Sequence, residues 1–222
     1  MFDGIARHYD FLNHFLSLGI DTRWRRKAVA FVAAYGPGTF LDVATGTGDV
    51  ALMLARRYPG AKVTGVDISD GMLAIARQKA SRRGDTGMVA FEQGDSENLR
   101  FPDNSFDAVT VAFGVRNFED LQKGLKEMLR VVRPGGMAVI LEFTKPRIFP
   151  FKQLFGVYFK FLLPLIGRLQ SKDKRAYRYL YESVQAFPDY DRFQKELIQA
   201  GWNDPQYQVL SLGICAIYTA TK

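Results

Sequence analysis

Between residues 39 and 144 the chain alternates short apolar runs with longer stretches of helical periodicity, and this alternation restricts the fold more than any other feature. The runs at 39–44, 62–67, 88–93, 106–113 and 137–143 are rich in Val, Ile, Leu, Phe and Ala without polar alternation, as strands covered on both faces are. Residues 49–58, 70–83 and 119–132 read as helices. Met72, Leu73, Ala76 and Ala80 recur at three- and four-residue spacing, as do Leu121, Leu125, Met128 and Val132. Asp70 and Asp120 suit helix N-termini, and Pro134-Gly135-Gly136 ends the third helix. Such a βαβαβ rhythm predicts an α/β fold: a parallel sheet with right-handed crossovers and helices on both faces. Sheets of this kind bind ligands at the carboxyl ends of their strands, which directs attention to 42–49, 67–70, 94–97, 112–117 and 142–145.

The flanks extend one domain over residues 1–222. Residues 1–35 read as a helical, aromatic cover and 146–186 as a basic, aromatic helical insertion. A helix at 189–200 precedes a strand pair at 206–212 and 214–221. A hydrophobic fraction of 47% excludes a disordered chain. Cys215 is the only cysteine and His8 and His14 the only histidines, so a disulfide framework and a Cys/His zinc site are excluded by count. The N-terminus carries no signal-peptide pattern, which agrees with a cytoplasmic setting. The net charge of +7 is concentrated in one segment, since residues 145–182 hold 9 basic and 2 acidic side chains whereas residues 1–144 hold 18 and 17.

The run from Leu41 to Asp49 is a strand, a glycine turn and a helix start. Gly46 and Gly48 allow close backbone approach, and the spacing also satisfies the relaxed dinucleotide pattern G-x-G-x-x-G/A. The neighbouring acids separate the two ligands. A pyrophosphate on this turn would lie near Asp42 and Asp49, with no Lys or Arg between residues 28 and 55. S-adenosylmethionine (SAM) reverses that logic, because its sulfonium and amino groups are cationic. Asp67, closing the next strand, suits the ribose hydroxyls, and Asp95-Ser96, after the third strand, suits the adenine amine. An isolated Asp at such a place is more often a cap or turn residue. Asp42, Gly46, Gly48, Asp67 and Asp95 together at strand ends point to SAM.

The runs LDVATGTGDVA, VTGVDIS, FPDNSFDAVTVAFGVRN and LRVVRPGGMAVILEFTKP resemble class I SAM-dependent methyltransferases. More narrowly, Tyr9-Asp10-Phe11-Leu12-Asn13 with Ser17 and Trp24, the stretch from Arg130 to Glu142, and Tyr177-Arg178-Tyr179-Leu180 with Ser183 and Phe187-Pro188 are similar to signatures of the ubiquinone/menaquinone biosynthesis C-methyltransferases. The resemblance spans nearly the whole chain. It implies a Rossmann-like, mostly parallel seven-stranded sheet with an antiparallel C-terminal strand. It also implies SAM contacts at Thr47, Asp67, Asp95 and Ser96. A further family contact is often Ser and is Ala112 here, and Asp21 stands where the signature usually has His. Relatives tend to carry a longer leader, so a trimmed N-terminus is an expectation.

The reaction so implied is methyl transfer from SAM to a ring carbon of a polyprenylated quinol, demethylmenaquinol or a methoxy-polyprenyl benzoquinol. Arg116 and Asn117, after the fourth strand, are expected to stabilise a developing quinolate and to orient the second ring oxygen, and Tyr9 to donate to or stack on the ring. The alternative for Arg116 is a surface salt bridge with Glu119 or Asp120, and for Tyr9 ordinary core packing. His8 and Asp10 are weaker base candidates.

Residues 148–169 contain Lys152, Lys160, Arg168, Pro150 and Pro164, too many interruptions for a membrane span. Their periodicity predicts an amphipathic helix. It either lines a channel for a prenyl tail and touches an anionic membrane from the cytoplasmic side, or packs against the domain or a homodimer partner. Two other readings compete: a soluble phenol, polyketide or sterol acceptor, and a nucleic-acid-binding protein. The second is disfavoured, because the aromatics cluster in the apolar helix instead of interleaving with the cations.

Overall fold

Seven strands form one sheet in the order β3-β2-β1-β4-β5-β7-β6. They are β1 (Thr39–Val43), β2 (Lys62–Asp67), β3 (Val89–Gln93), β4 (Phe106–Ala112), β5 (Val132–Phe143), β6 (Asn203–Leu210) and β7 (Cys215–Thr221). The computed structural model describes residues 19–36, 38–85, 87–157 and 174–222. β1 to β5 pair in parallel, and β7 runs antiparallel between β5 and β6. The order reverses between β1 and β4, which opens a crevice at the carboxyl ends of the central strands.

Consecutive strand residues face opposite layers and both are buried, which explains the missing polar alternation. Phe40, Val139 and Leu141 pack with Trp24, Val29, Leu52 and Leu54 on one face. Leu41, Val109 and Ile140 pack with Leu125, Met128, Phe193 and Trp202 on the other. The helices supplying these layers are α1 (Asp21–Ala30), α2 (Asp49–Arg57), α3 (Asp70–Arg82), α4 (Leu121–Val131) and α7 (Asp191–Gln199). Buried α3 side chains are Met72, Leu73, Ala76 and Ala80, the same four that the periodicity selects.

Both acids expected at helix N-termini are there: Asp70 stands in the first turn of α3, behind the N-cap Ser69 whose hydroxyl accepts from Met72 N, and Asp120 caps α4, accepting from Lys123 N at 3.0 Å. One local expectation changes. Pro134-Gly135-Gly136 does not separate α4 from a strand beginning at 137. β5 begins at Val132, and a register shift between Phe106 and Ala108 of its partner absorbs the extra residues as a bulge. The run at 148–169 is described only in part: α5 (Phe151–Val157) lies within it, and residues 158–173 lie outside the described residues. Among described residues no helix is long and apolar enough to cross a membrane. α6 (Lys174–Ala186) buries Leu180 and Val184 against the first apolar layer.

Candidate active site at the strand ends

A cavity of about 290 Å³ sits at the crevice, and every strand end from β3 to β4 contributes to it. Gly94, Asp95 and Ser96 follow β3, Asp67 and Ile68 close β2, Ala44, Thr45 and Gly46 follow β1, and Ala112, Phe113 and Asn117 follow β4. Of the expected site residues, Gly46, Asp67, Asp95, Ser96, Ala112 and Asn117 meet there.

Asp67 ties two of these segments together. Its Oδ2 accepts from Gly46 N at 2.8 Å and its Oδ1 from Ser69 N at 2.9 Å. Each carboxylate oxygen has two acceptor sites, so further hydroxyl donors are compatible with these bonds. Gly46 sits at φ +57 with nothing within 4 Å of where a Cβ would stand, so the turn presents backbone to the cavity. Asp95 Oδ1 accepts from Glu97 N at 2.8 Å, and Glu97 Oε1 accepts from Asp120 N at 2.8 Å. Asn117 Oδ1 accepts from the hydroxyl of Tyr179 at 3.1 Å, bringing α6 to the rim.

Four expected residues lie elsewhere. Asp42 is 1% exposed beneath the turn, where the hydroxyls of Thr45 and Thr110 each donate to it at 2.6 Å. Thr110 is its register partner on β4, so both side chains share a covered face, and burial pushes the carboxyl up to about 6. It braces the turn instead of lining the cavity. Thr47 is 2% exposed and receives a hydrogen bond from Lys79, which also pairs with Asp49 at 2.9 Å. A Cβ on Gly48 would stand 2.8 Å from the Phe91 ring and 2.9 Å from Ala76, so this glycine serves the packing of α2 and α3 on the sheet. The expected absence of cations near the turn holds only locally in the chain, because Lys79 and Arg25 reach it in space.

Arg116 is the largest correction. Its side chain is 1% exposed, and Nη1 donates to Glu142 Oε1 at 2.7 Å and to Phe113 O at 2.5 Å. The guanidinium also stands 5.5 Å from the centroid of Phe143. Neither Glu119 nor Asp120 is its partner in these bonds. Glu142 is fully buried on β5, and burial pushes its carboxyl up despite the adjacent cation. A buried carboxylate needs a counter-charge, and the turn after β4 supplies it. Tyr9, His8 and Asp10 lie outside the described residues.

Glu97 and Phe113 fall in the strand-end stretches expected to hold the ligand, whereas sequence reasoning missed Arg25, Met72, Phe118 and Glu119 as cavity walls. Charge asymmetry is the property that matters most. Among the described residues, Asp67, Asp95, Glu97 and Glu119 line the cavity against one cation, Arg25. That composition fits a ligand bearing a sulfonium and an amine, and it repels a pyrophosphate. Among described residues no cluster of His, Cys, Asp and Glu has metal-binding geometry.

Comparison with known proteins agrees with this chemistry. The model of the ubiE/COQ5 methyltransferase family matches residues 1–222. The chain is 48% identical over 222 residues to a demethylmenaquinone methyltransferase of Bacteroides fragilis, covering 100% of this chain and 91% of that protein. It is 47% identical over 223 residues to a ubiquinone/menaquinone biosynthesis C-methyltransferase of Geotalea daltonii, covering 100% and 94%. A solved SAM-dependent methyltransferase from Thermotoga maritima superposes with a TM-score of 0.66 over 100% of this chain and 98% of that one; at 20% identity this likeness speaks to the fold. With a family match over residues 1–222 and relatives 47–48% identical over its length, the chain belongs to the ubiE/COQ5 methyltransferase family.

Proposed function

We infer that this methyltransferase moves a methyl group from SAM to a ring carbon of a polyprenylated quinol, with demethylmenaquinol as the principal acceptor. The observation that carries the reading is the row of ligand-binding groups along the strand ends, Asp95-Ser96, Asp67, Gly46 and Asn117, in one acid-lined cavity. The named relatives supply the acceptor class.

SAM, when bound, contributes an electrophilic methyl on a sulfonium. Asp67 holds the ribose hydroxyls while keeping the glycine turn in place through Gly46 N. Asp95 and Ser96 receive the adenine end, and Ala112 forms an apolar wall without a hydroxyl. The carboxylates favour the cationic centre in its ground state, so acceleration must come from orientation: the acceptor carbon held in line, ~3–3.5 Å from the methyl. Phe113 and Phe118 provide flat apolar walls, and Asn117, steadied by Tyr179, orients a ring oxygen. Arg116 is a positioning residue here, since it clamps the Phe113 carbonyl and the turn that carries Asn117.

A prenyl tail needs an apolar exit toward the membrane surface, and Ile148 and Phe149 suit one. Ile148 and Phe149 are 62% and 77% exposed beside Lys152 and Arg147, a pairing of apolar and cationic groups suited to an anionic lipid interface. The experiment that tests the acceptor is incubation with methyl-labelled SAM and a lipid extract from a quinone-methyltransferase-deficient strain. Mass identification of labelled menaquinone supports the assignment; labelled ubiquinone-type lipid alone would transfer it to the other acceptor, and absence of labelled quinone would refute it.

A further inference from the structure

We propose that Arg25 binds the carboxylate of SAM and makes the site selective for the intact amino-acid end of that molecule. The inference rests on the SAM assignment above.

Its first support is charge matching. SAM carries one anionic group, and among the described residues the cavity lining carries one cation beside four carboxylates. The second is position. Along the sheet, Asp95 follows β3, Asp67 closes β2, the glycine turn follows β1 and Phe113 follows β4. A ligand with its adenine at Asp95 and its ribose at Asp67 therefore carries its amino-acid end over β1 and β4. Arg25 stands at that end, its guanidinium carbon 5.2 Å from the Phe113 ring centroid.

The third support is an unused hydrogen-bonding capacity. Arg25 is 7% exposed, and its Nε donates to Asp21 Oδ2 at 3.3 Å. Its terminal Nη1 and Nη2 make no hydrogen bond with the described residues, although the residue lines the cavity. These nitrogens are open to the cavity, and a guanidinium fork matches a carboxylate through two parallel bonds. Asp21, fully buried one helical turn earlier, fixes the inner edge of the fork. Trp24 anchors the same helix, donating from Nε1 to Ser211 Oγ at 2.9 Å and packing on Phe113 and Phe143. The fork is thus held in place before ligand arrives.

The test is calorimetric titration of the full chain with SAM and with decarboxylated SAM, which keeps the adenosine, sulfonium and amine. Wild type is expected to bind SAM roughly 10- to 100-fold more tightly, the range of a charge-assisted pair. Arg25→Gln should bring SAM down to the affinity of the decarboxylated compound while leaving the latter within about threefold, and Arg25→Lys should restore part of the difference. Comparing both ligands in both proteins cancels the extra positive charge of the decarboxylated compound. An equal loss for both ligands in Arg25→Gln, or no loss for SAM, would overturn the proposal while leaving the SAM site standing. Failure of wild type to bind SAM at all would instead overturn the site itself. Should Arg25→Gln not fold, Arg25→Lys takes its place in the same two-ligand comparison, with a smaller but still SAM-specific loss expected.

Discussion

Individual residues at strand ends divide by which way they point. Asp42 and Asp67 both sit near the carboxyl ends of central strands, and the sequence treats them alike. The register separates them: Asp42 faces Thr110 across β1 and β4 on a covered surface, whereas Asp67 is the last residue of β2 and reaches the turn. Their predicted behaviours differ accordingly. Asp67→Asn should weaken SAM binding about 10- to 100-fold in a direct titration, because it replaces a carboxylate that accepts from charged or hydroxyl donors. Asp42 contributes a pH dependence instead. Its folded carboxyl titrates at about 6 against an ordinary 3.8, so its stabilising share is complete below pH about 4 and is lost as pH rises through about 6. Denaturant melts across that window should show wild type falling by roughly 3 kcal/mol relative to Asp42→Asn. A constant difference between the two proteins would remove this account of Asp42.

Arg116 was legible as a residue of a motif but not as a member of an ion pair, because its partner lies 26 residues away on the next strand. Removing it strands a buried carboxylate. Arg116→Ala should cost about 3–5 kcal/mol of stability, and Arg116→Met combined with Glu142→Leu should cost less than either single change. If Arg116→Ala melts like wild type and loses only turnover, the guanidinium acts on the acceptor and not on Glu142.

At the level of elements, period and pattern were reliable where a segment buries one continuous face. α3 and α4 follow their apolar stripes, and the five central strands fall within a residue or two of their apolar runs except at the start of β5. What a motif does there was less legible. The stretch from Arg130 to Gly136 reads as a signature, yet its arginines act structurally. Arg130 donates to Leu99 O and Phe101 O at 2.8 Å each and to Asp103 at 2.7 Å, while Glu127 accepts from Leu99 N. Arg133 pairs with Asp107, which also accepts from Thr39 N. α4 thereby clamps the segment running from the Asp95 side of the cavity to β4. Arg130→Ala should raise amide hydrogen exchange across residues 99–105 at least about tenfold, as expected from losing more than ~1.4 kcal/mol of local stability. Exchange confined to α4 would show that the clamp is not what orders that segment.

For the whole molecule, charge is distributed differently from the linear count. Residues 1–144 are nearly neutral in sum, but folding gathers acids around the cavity and places Arg26, Arg56, Arg57 and Arg83 with Arg25 along a separate depression behind α1 and α2. Local sequence gives no sign of this sorting, since the cations come from two helices and the turn after a third. One prediction of this sorting is electrostatic contact with anionic lipid. Flotation with vesicles containing anionic phospholipid should carry the protein upward, and the bound fraction should fall steeply as salt rises. Equal flotation with neutral vesicles in high salt would remove the electrostatic part of this account.

The central claim is that the acid-lined cavity transfers a methyl group to a quinol ring carbon. It is tested most directly by supplying isotope-labelled SAM and reduced demethylmenaquinone to purified protein and locating the label in the product by NMR. The account predicts label on a ring carbon, formed by wild type and reduced at least about tenfold in Asp67→Asn at limiting SAM. Label on a ring oxygen, or equal product from both proteins, would contradict it.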